Sequence, residues 1–274
     1  MKSTTQNVVI IGASHAATEA IAGLRRAGWD AKITLIGDEE HLPYQRPPLS
    51  KAYYKGDISA DKLAIKNANF YEVTKVDLML GQRAEFIDRE TKEVALANGD
   101  RIAYSKLILA TGTRARILPV EGADASCIKY LRTVTDVDEI KDSLKPGSKL
   151  LIVGAGYIGL EVAASAVNQG ITVTVLEAQE RVLARVTSEP VSKFYQDMHR
   201  AAGVDIRLGV GLKRFVYKQD GNFAELDNGE LIQFDCAIVG IGVIPNVELA
   251  EQAGLECDNG IVVDEYTRTK DLDI

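Results

Sequence analysis

The chain has 274 residues, of which 46% are hydrophobic and 26% charged, and 32 lysines and arginines against 39 aspartates and glutamates leave a net charge of −7. The length predicts about two domains, and the composition excludes disordered, collagen-like and disulfide-scaffold proteins. The acidic balance argues against a globally basic surface for nucleic acid but leaves a local basic patch open. No apolar run approaches the ~20 residues that span a bilayer.

The N-terminal residues and the cysteines indicate in which cellular compartment the protein is expected. The chain begins with MKSTTQN, which is short and polar and leads directly into a predicted strand, so we expect no signal peptide. The three cysteines and three histidines are scattered, without a CxxC pair or the spacing of metal ligands. We therefore expect a cytoplasmic protein with reduced thiols and no metal site.

The first predicted elements form a strand–helix–strand unit. The run NVVIIG is typical of a buried parallel strand and leads into a turn at residues 12–17. The next stretch, TEAIAGLRRAGW, predicts a helix that Gly28 would end. The run AKITLIG then predicts a second strand, followed by Asp38 and Glu39.

A second unit repeats this order later in the chain. KLLIVG predicts a strand, residues 154–159 form a glycine-rich turn, LEVAASAVNQG predicts a helix, and ITVTVLE predicts a strand that ends at Glu177. After each unit comes a predicted hairpin on an Asn-Gly pair and then a buried strand, in EVALANGDRIAYSKLILATG and AELDNGELIQFDCAIVGIG. Because the same order occurs twice, we predict an α/β fold of two Rossmann-like, three-layer nucleotide-binding lobes.

The two turns are typical of phosphate binding. The first glycine of such a turn allows the sharp bend, the second lets the backbone approach a pyrophosphate, and the third lets helix and strand pack closely. The following helix N-terminus adds free N–H groups. The second turn has all three glycines, Gly154, Gly156 and Gly159. The first turn has Ser14 and Ala17 at the later two positions, so it fits either a phosphate site or a turn without a ligand.

The acid after the second strand of each unit is a typical partner of a ribose diol. Glu177 favours the free 2′-hydroxyl of NAD over the 2′-phosphate of NADP, and Arg181 and Arg185 lie several residues further on. Two nucleotide lobes predict two nucleotides, and hydride transfer from a nicotinamide to a flavin is the simplest reaction between them. The chain shows no Ser/His/Asp or Cys/His constellation that would suggest other chemistry.

These motifs, with HLPYQRPPLSK at residues 41–51, LILATG, YLRT and GIGVIPN, resemble the FAD-dependent, NADH-using ferredoxin reductases of bacterial P450 and Rieske oxygenase systems. The resemblance runs from Val8 to Ile274 and implies a glutathione reductase-type architecture. Its FAD-binding domain would comprise residues 1–112 plus 243–274, and its NADH-binding domain residues 113–242. The family continues with an aromatic-x-x-Gly-Asp stretch and a third domain, so we expect a chain truncated after Ile274.

The resemblance also implies a function and partners. Hydride would pass from NADH to FAD, and single electrons from FAD to a [2Fe–2S] ferredoxin that feeds a P450 or Rieske oxygenase. We expect a monomer or weak homodimer, without a nucleic-acid or membrane partner.

Individual residues take roles from the same resemblance. Lys51 and Glu161 would form a pair that orients and electrostatically tunes the flavin, with Lys51 near flavin N5. From the residues alone, Lys51 and Arg132 also fit ordinary surface side chains, and Glu161 a first-turn acid that complements a helix dipole. Tyr157 fits either a stacking side chain or a core residue. FAD would be held by Gly12, Ser14, His15, Ala16, Ala17, Asp38, Glu39, Arg46, Pro47, Lys51, Ala84, Thr111, Gly112 and Arg132. NADH would be held by Gly154, Gly156, Tyr157, Ile158, Gly159, Glu177, Arg185 and Gly240.

Three other functions fit part of the sequence. A rubredoxin reductase shares the outline. A flavin disulfide reductase or NADH oxidase would need a redox cysteine near the flavin, and HLPYQRPPLSK contains none. A non-catalytic nucleotide-binding module of the apoptosis-inducing-factor type would be supported by a basic DNA-binding face, which the net charge of −7 argues against.

Overall fold

The structure, a computed structural model, describes residues 6–274. The predicted absence of a signal peptide concerns mainly residues 1–5, which lie outside the described residues. The strands are β1 (Asn7–Ile11), β2 (Lys32–Ile36), β3 (Val76–Met79), β4 (Ala84–Asp88), β5 (Glu93–Leu96), β6 (Arg101–Ala103), β7 (Lys106–Leu109), β8 (Thr113–Ala115), β9 (Ile128–Tyr130), β10 (Lys149–Val153), β11 (Thr172–Glu177), β12 (Asp205–Leu208), β13 (Leu212–Lys218), β14 (Gly221–Leu226), β15 (Leu231–Phe234), β16 (Cys236–Val239) and β17 (Val243–Pro245). The helices are α1 (His15–Arg26), α2 (Ala52–Lys55), α3 (Ala68–Val73), α4 (Val134–Ser143), α5 (Tyr157–Val167), α6 (Glu189–Ala201) and α7 (Glu248–Gln252), with 3-10 turns at Pro47–Ser50 and Ala60–Leu63.

The described chain divides into two compact units. The first comprises the described part of Met1–Gln45 with Asp61–Arg114 and Ile244–Ile274, and the second comprises Arg46–Ala60 with Ala115–Val243. The segment Arg46–Ala60, which the predicted boundaries place in the FAD-binding domain, groups with the second compact unit. The cause lies in α2 and the turn before it, which contact α4 and α5. The hydroxyl of Tyr53 on α2 donates a 2.8 Å hydrogen bond to Asp138 of α4.

The first unit has three layers around a parallel sheet with the order β3-β2-β1-β7. Its strands are rich in β-branched residues, which suit a pleated surface that is covered on both faces. Helices α1 and α3 cover one face, and the antiparallel meander β4-β5-β6 with α7 covers the other. The buried side chains of these interfaces include Ile10, Ile21, Ile33 and Tyr71 on the helix side and Val9, Ile87, Val94 and Ala250 on the meander side.

The second unit repeats the plan with a sheet of order β12-β11-β10-β16-β9 and a meander β13-β14-β15. Strands β10, β11, β12 and β16 correspond to β1, β2, β3 and β7, and β9 is an addition that pairs with β16. Its core places the sheet against the meander through Leu151, Leu176, Phe215, Phe234 and Val239. Strands β8 and β17 form a separate two-stranded ladder.

Small details of the two meanders repeat as well. The first strand pair of each contains a register shift, between Ala84 and Phe86 and between Leu212 and Arg214. In the hairpin loops, Asn98 accepts a 3.0 Å bond from the Asp100 N–H and Asn228 a 2.9 Å bond from the Glu230 N–H. The duplicated plan confirms the predicted α/β fold of two Rossmann-like lobes. None of the helices in residues 6–274 is long and apolar enough to cross a membrane.

Candidate nucleotide-binding sites

The glycine turn of the second unit lies between the end of β10 and the start of α5. The N–H of Gly154 donates to Leu176 at 2.8 Å, which joins the turn to β11. Gly154 has φ +107°, and a Cβ there would lie 2.5 Å from the carbonyl oxygen of Gly240. A Cβ on Gly159 would lie 2.3 Å from the carbonyl oxygen of Gly154. Both glycines are therefore required by backbone conformation or by packing within the protein.

Neither backbone conformation nor packing within the protein requires a glycine at the positions of Gly156 and Gly240. Gly156 has φ −78°, which any residue adopts. Among the described residues, no heavy atom lies within 4 Å of a Cβ built on Gly156, and the nearest to one on Gly240 is 3.9 Å away. The two glycines leave space beside the N-terminus of an 11-residue helix, whose free N–H groups suit a pyrophosphate. The residues present thus fit a dinucleotide.

Glu177, the last residue of β11, holds the same turn. One carboxylate oxygen accepts a 2.8 Å hydrogen bond from the N–H of Ala155, and the other accepts a 2.9 Å bond from the N–H of Gln179. A carboxylate oxygen can accept more than one hydrogen bond, so both retain capacity for a ribose diol. The Glu177 carboxylate can therefore orient the turn and accept hydrogen bonds from a ribose at the same time.

The start of α5 decides between the two interpretations of Tyr157. Its side chain is 49% exposed and that of Ile158 is 43% exposed, so Tyr157 is not a core residue. Arg185 is also exposed, on the loop that follows β11. Arg181 is held by the backbone, because its guanidinium donates to Thr187 at 2.9 Å and Ala184 at 2.8 Å.

The turn of the first unit has the same construction with different residues. The N–H of Gly12 donates to Ile36 at 2.8 Å, and a Cβ on Gly12 would lie 2.1 Å from the carbonyl oxygen of Ala110. Ala17 is fully buried where the second turn has its third glycine. Ser14 is the N-cap of α1, but its hydroxyl makes no capping bond. His15 and Ala16 are exposed in the first turn of this helix.

A cavity of about 460 Å³ opens at the carboxyl ends of β1 and β2. In doubly wound sheets, ligands bind beyond these strand ends, at the point where the strand order reverses, here between β1 and β7. The cavity combines an apolar part, formed by side chains such as Ile11, Ile36 and Leu249, with seven polar or charged residues, a mixture that suits a nucleotide. It is lined by Ile11, Gly12, Ile36, Asp38, Gln82, Arg83, Ala84, Thr111, Arg114, Asn246, Glu248 and Leu249.

Four predicted FAD contacts, Gly12, Asp38, Ala84 and Thr111, thus lie together on this cavity. Glu39 is not among the lining residues of this cavity, and its carboxylate accepts a 2.6 Å hydrogen bond from the hydroxyl of Tyr44.

Arg114, Asn246 and Glu248 were not predicted from the sequence, and they form one hydrogen-bonded group at the cavity. The guanidinium of Arg114 lies 2.6 Å from Glu248 and 2.9 Å from the side-chain oxygen of Asn246. Asn246 donates to Thr111 at 2.8 Å, and the Thr111 hydroxyl donates back at 2.7 Å. The backbone N–H of Asn246 donates to Gly112 at 3.0 Å. The segment GIGVIPN, which ends at Asn246, was the available sequence signal.

The charge of Glu248 is stabilised at this position. Its own backbone N–H, and then the Arg114 guanidinium, hold the pKa of the Glu248 carboxyl below its usual range. The group therefore presents an ion pair at the rim of the cavity at neutral pH.

The remaining predicted FAD residues lie in the second unit. The ammonium of Lys51 is 2.7 Å from the Glu161 carboxylate. Pro47 begins the 3-10 turn that precedes Lys51. The guanidinium of Arg46 donates to the carbonyl of Arg132 at 2.6 Å. The structure thus groups Arg46 with Arg132 and Lys51 with Glu161, although each pair is far apart in the sequence.

Comparison with known proteins found a matching family profile and several similar proteins. The sequence profile described as "Pyridine nucleotide-disulphide oxidoreductase" matches residues 6–274. Rhodocoxin reductase of Rhodococcus erythropolis is 44% identical over 98% of this chain and 63% of its own length. Putidaredoxin reductase of Pseudomonas putida is 42% identical over 98% of this chain and 65% of its own length.

A solved structure agrees with these relatives. The crystal structure of the covalent putidaredoxin reductase–putidaredoxin complex matches with a TM-score of 0.93 and 42% identity, over 98% of this chain and 66% of that chain. The chain spans a little under two thirds of the length of these proteins. The matches confirm the predicted resemblance to ferredoxin reductases.

Proposed function

Because this chain belongs to the pyridine nucleotide-disulphide oxidoreductase family, we propose that it acts as an NADH-dependent flavoprotein reductase of a [2Fe–2S] ferredoxin. The observation that carries the proposal is the duplicated nucleotide-binding plan. Each unit has a glycine turn, a helix N-terminus and an acid at or just beyond the end of the second strand, in a chain 44% identical to rhodocoxin reductase. We infer further that the ferredoxin serves a P450 or Rieske oxygenase, and that the protein is a monomer or weak homodimer.

FAD and NAD(H) are the cofactors of this family. We assign FAD to the first unit, where Gly12 and Ser14 would meet the pyrophosphate and Asp38 the adenosine ribose. The apolar walls at Ile36 and Ala84 suit the adenine ring. When bound, FAD supplies the ability to accept a hydride and to release electrons one at a time.

We assign NADH to the second unit. The space beside Gly156 and Gly240 would admit the pyrophosphate, and Glu177 would accept hydrogen bonds from the ribose diol. The negative charge of Glu177 would repel a 2′-phosphate, so we propose NADH rather than NADPH. Tyr157 and Ile158, exposed at the start of α5, would contact the nicotinamide half.

Lys51 and Glu161 would act on the flavin by electrostatics. A positive ammonium stabilises the negative charge that a reduced flavin carries, and a carboxylate 2.7 Å away moderates that effect. Neither group needs to transfer a proton for hydride transfer. We assign to both residues the orientation of the flavin and the stabilisation of its negative charge.

The raised pKa values of the cysteine thiols argue against a thiol-based reaction. Burial raises the pKa of Cys236 to about 12 and raises the pKa of Cys127 and Cys257 above the usual range. A reactive cysteine in a disulfide reductase needs a lowered pKa, because the thiolate is the nucleophile.

Flavin spectroscopy of the flavin-loaded, full-length protein tests the proposal. We expect NADH to bleach the visible flavin band under anaerobic conditions, and cytochrome c reduction to depend on added [2Fe–2S] ferredoxin. Absence of a bound flavin or of NADH bleaching would sink the proposal. Rapid NADH consumption with oxygen and no stimulation by ferredoxin would instead support an NADH oxidase.

A further inference from the structure

The pair of Lys51 and Glu161 has a third member, Ser50. The hydroxyl of Ser50 donates a 2.5 Å hydrogen bond to oxygen Oε2 of Glu161. The ammonium of Lys51 lies 2.7 Å from the same oxygen. Two consecutive residues therefore converge on one carboxylate oxygen, 111 residues away in the sequence from Ser50.

The local backbone explains how both side chains reach that oxygen. Ser50 ends the 3-10 turn Pro47–Ser50, and α2 begins at Ala52. Lys51 joins the two with φ −123° and ψ −109°, outside helical geometry. This break directs consecutive side chains toward α5, which carries Glu161.

The three groups differ in burial, which gives them different tasks. The side chains of Lys51 and Glu161 are 49% and 29% exposed, and an ion pair of that exposure is weakly held in water. Ser50 is only 4% exposed, and its hydrogen bond has the short length of a hydroxyl that donates to a carboxylate. The buried hydroxyl is thus the more enclosed partner of the carboxylate. The other partner, the half-exposed Lys51 ammonium, divides its hydrogen bonds between this carboxylate and the Pro47 carbonyl, to which it donates at 3.2 Å.

A second serine lies beside the group without touching the carboxylate. The hydroxyl of Ser165 donates to the backbone carbonyl of Glu161 at 2.9 Å and to that of Ser50 at 3.4 Å. Ser165 is 3% exposed, so it matches Ser50 in burial and chemistry. It provides a matched control within the same cluster.

We propose that Ser50 is a positioning residue that acts through Glu161. Its hydrogen bond would hold the Glu161 carboxylate in place and so limit how far this carboxylate neutralises the positive charge that Lys51 presents to the flavin. The inference rests on the proposed function, which assigns Lys51 to the flavin. Without the hydroxyl, Oε2 would have the Lys51 ammonium as its remaining partner at this site. The carboxylate would then neutralise the ammonium more fully, and the reduced flavin would be less stabilised.

The test is a double-mutant cycle in the flavin-loaded, full-length protein with Ser50→Ala, Glu161→Ala and the double variant. The readouts are the flavin midpoint potential and the rate of flavin reduction by NADH in a single turnover. We expect Ser50→Ala to lower the potential and to slow reduction by about tenfold, the size expected for one hydrogen bond to a charged group. In the Glu161→Ala background, we expect Ser50→Ala to change neither value.

Ser165→Ala is the matched control, and thermal unfolding of every variant shows that it remains folded. We expect Ser165→Ala to lower the melting temperature without moving the potential. Equal effects of Ser50→Ala in both backgrounds, or an effect on melting temperature alone, would show a merely structural serine. Those results overturn the inference while wild-type flavin reduction still supports the proposed function, whereas an inactive wild type refutes both.

Discussion

The carboxylate of Glu177 and the backbone N–H of Ala155 form a 2.8 Å hydrogen bond that holds the glycine turn of the second unit against β11. At the corresponding position of the first unit, strand and turn are in contact without this hydrogen bond. Gly37 takes the place of Glu177, and a Cβ there would lie 2.5 Å from Cβ of Ala13, the counterpart of Ala155. The acid of that unit is displaced by one residue to Asp38, which lines the cavity instead of holding the turn.

Glu177→Ala should therefore impair NADH binding through the turn as well as through the ribose. Loss of hydrogen bonds to a charged acceptor costs about 1.5–3 kcal/mol each, so we expect the KM for NADH to rise about tenfold or more. The variant should also gain little affinity for NADPH, because its turn is no longer held. Steady-state kinetics with both nucleotides measure this, with Glu180→Gln, an exposed acid on the same loop, as control. Unchanged NADH kinetics would contradict the assignment.

Alanine at Gly156 should separate folding from binding. The open space around this position predicts that Gly156→Ala folds, with a loss of at most about 1 kcal/mol at the N-cap. NADH binding should fall by about tenfold or more, because the methyl group occupies the path of the pyrophosphate.

Gly154→Ala is the matched comparison for that variant. Its φ of +107° and the 2.5 Å approach to the Gly240 oxygen predict a stability loss of several kcal/mol. Chemical denaturation and nucleotide titration together distinguish the two alanines. NADH binding retained in Gly156→Ala would show that no pyrophosphate passes there.

Asn246→Ala should weaken FAD retention. The substitution removes the 2.8 Å hydrogen bond to Thr111 and the 2.9 Å bond from Arg114, which shape the rim of the cavity. Two ordinary hydrogen bonds contribute about 1 kcal/mol each, so we expect the Kd for FAD to rise by about tenfold or more. Fluorescence titration of the flavin-free protein measures it. Gln252→Ala, on the exposed side of α7, is the control and should bind FAD as the wild type does.

Asp273 should make stability depend on pH in the acid range. Hydrogen bonds from Lys106 and Lys92 lower the pKa of Asp273 to about 2. Because the pKa is lower in the folded state than the ordinary 3.8, the stabilisation is complete above about pH 4 and disappears as the pH falls toward 2. Denaturation of wild type and Asp273→Asn should differ at pH 6 and converge near pH 2. A difference that persists at pH 2 would contradict the assignment.

The repeated order of strands and helices and the positions of the glycine turns can be predicted from the sequence. A strand, a turn and a helix start are specified within a few consecutive residues, so Gly12, Gly154 and Glu177 could be assigned from spacing alone. The family resemblance added Lys51 and Glu161.

The folded structure alone shows which distant segments meet. It assigned Arg46–Ala60 to the second unit, grouped Arg114, Asn246 and Glu248 at the cavity, and placed Ser50 on the Glu161 carboxylate. These contacts join side chains that are separated by as many as 134 residues, as in the pair of Arg114 and Glu248. No local pattern encodes such contacts, because they arise from the packing of complete layers around the two sheets.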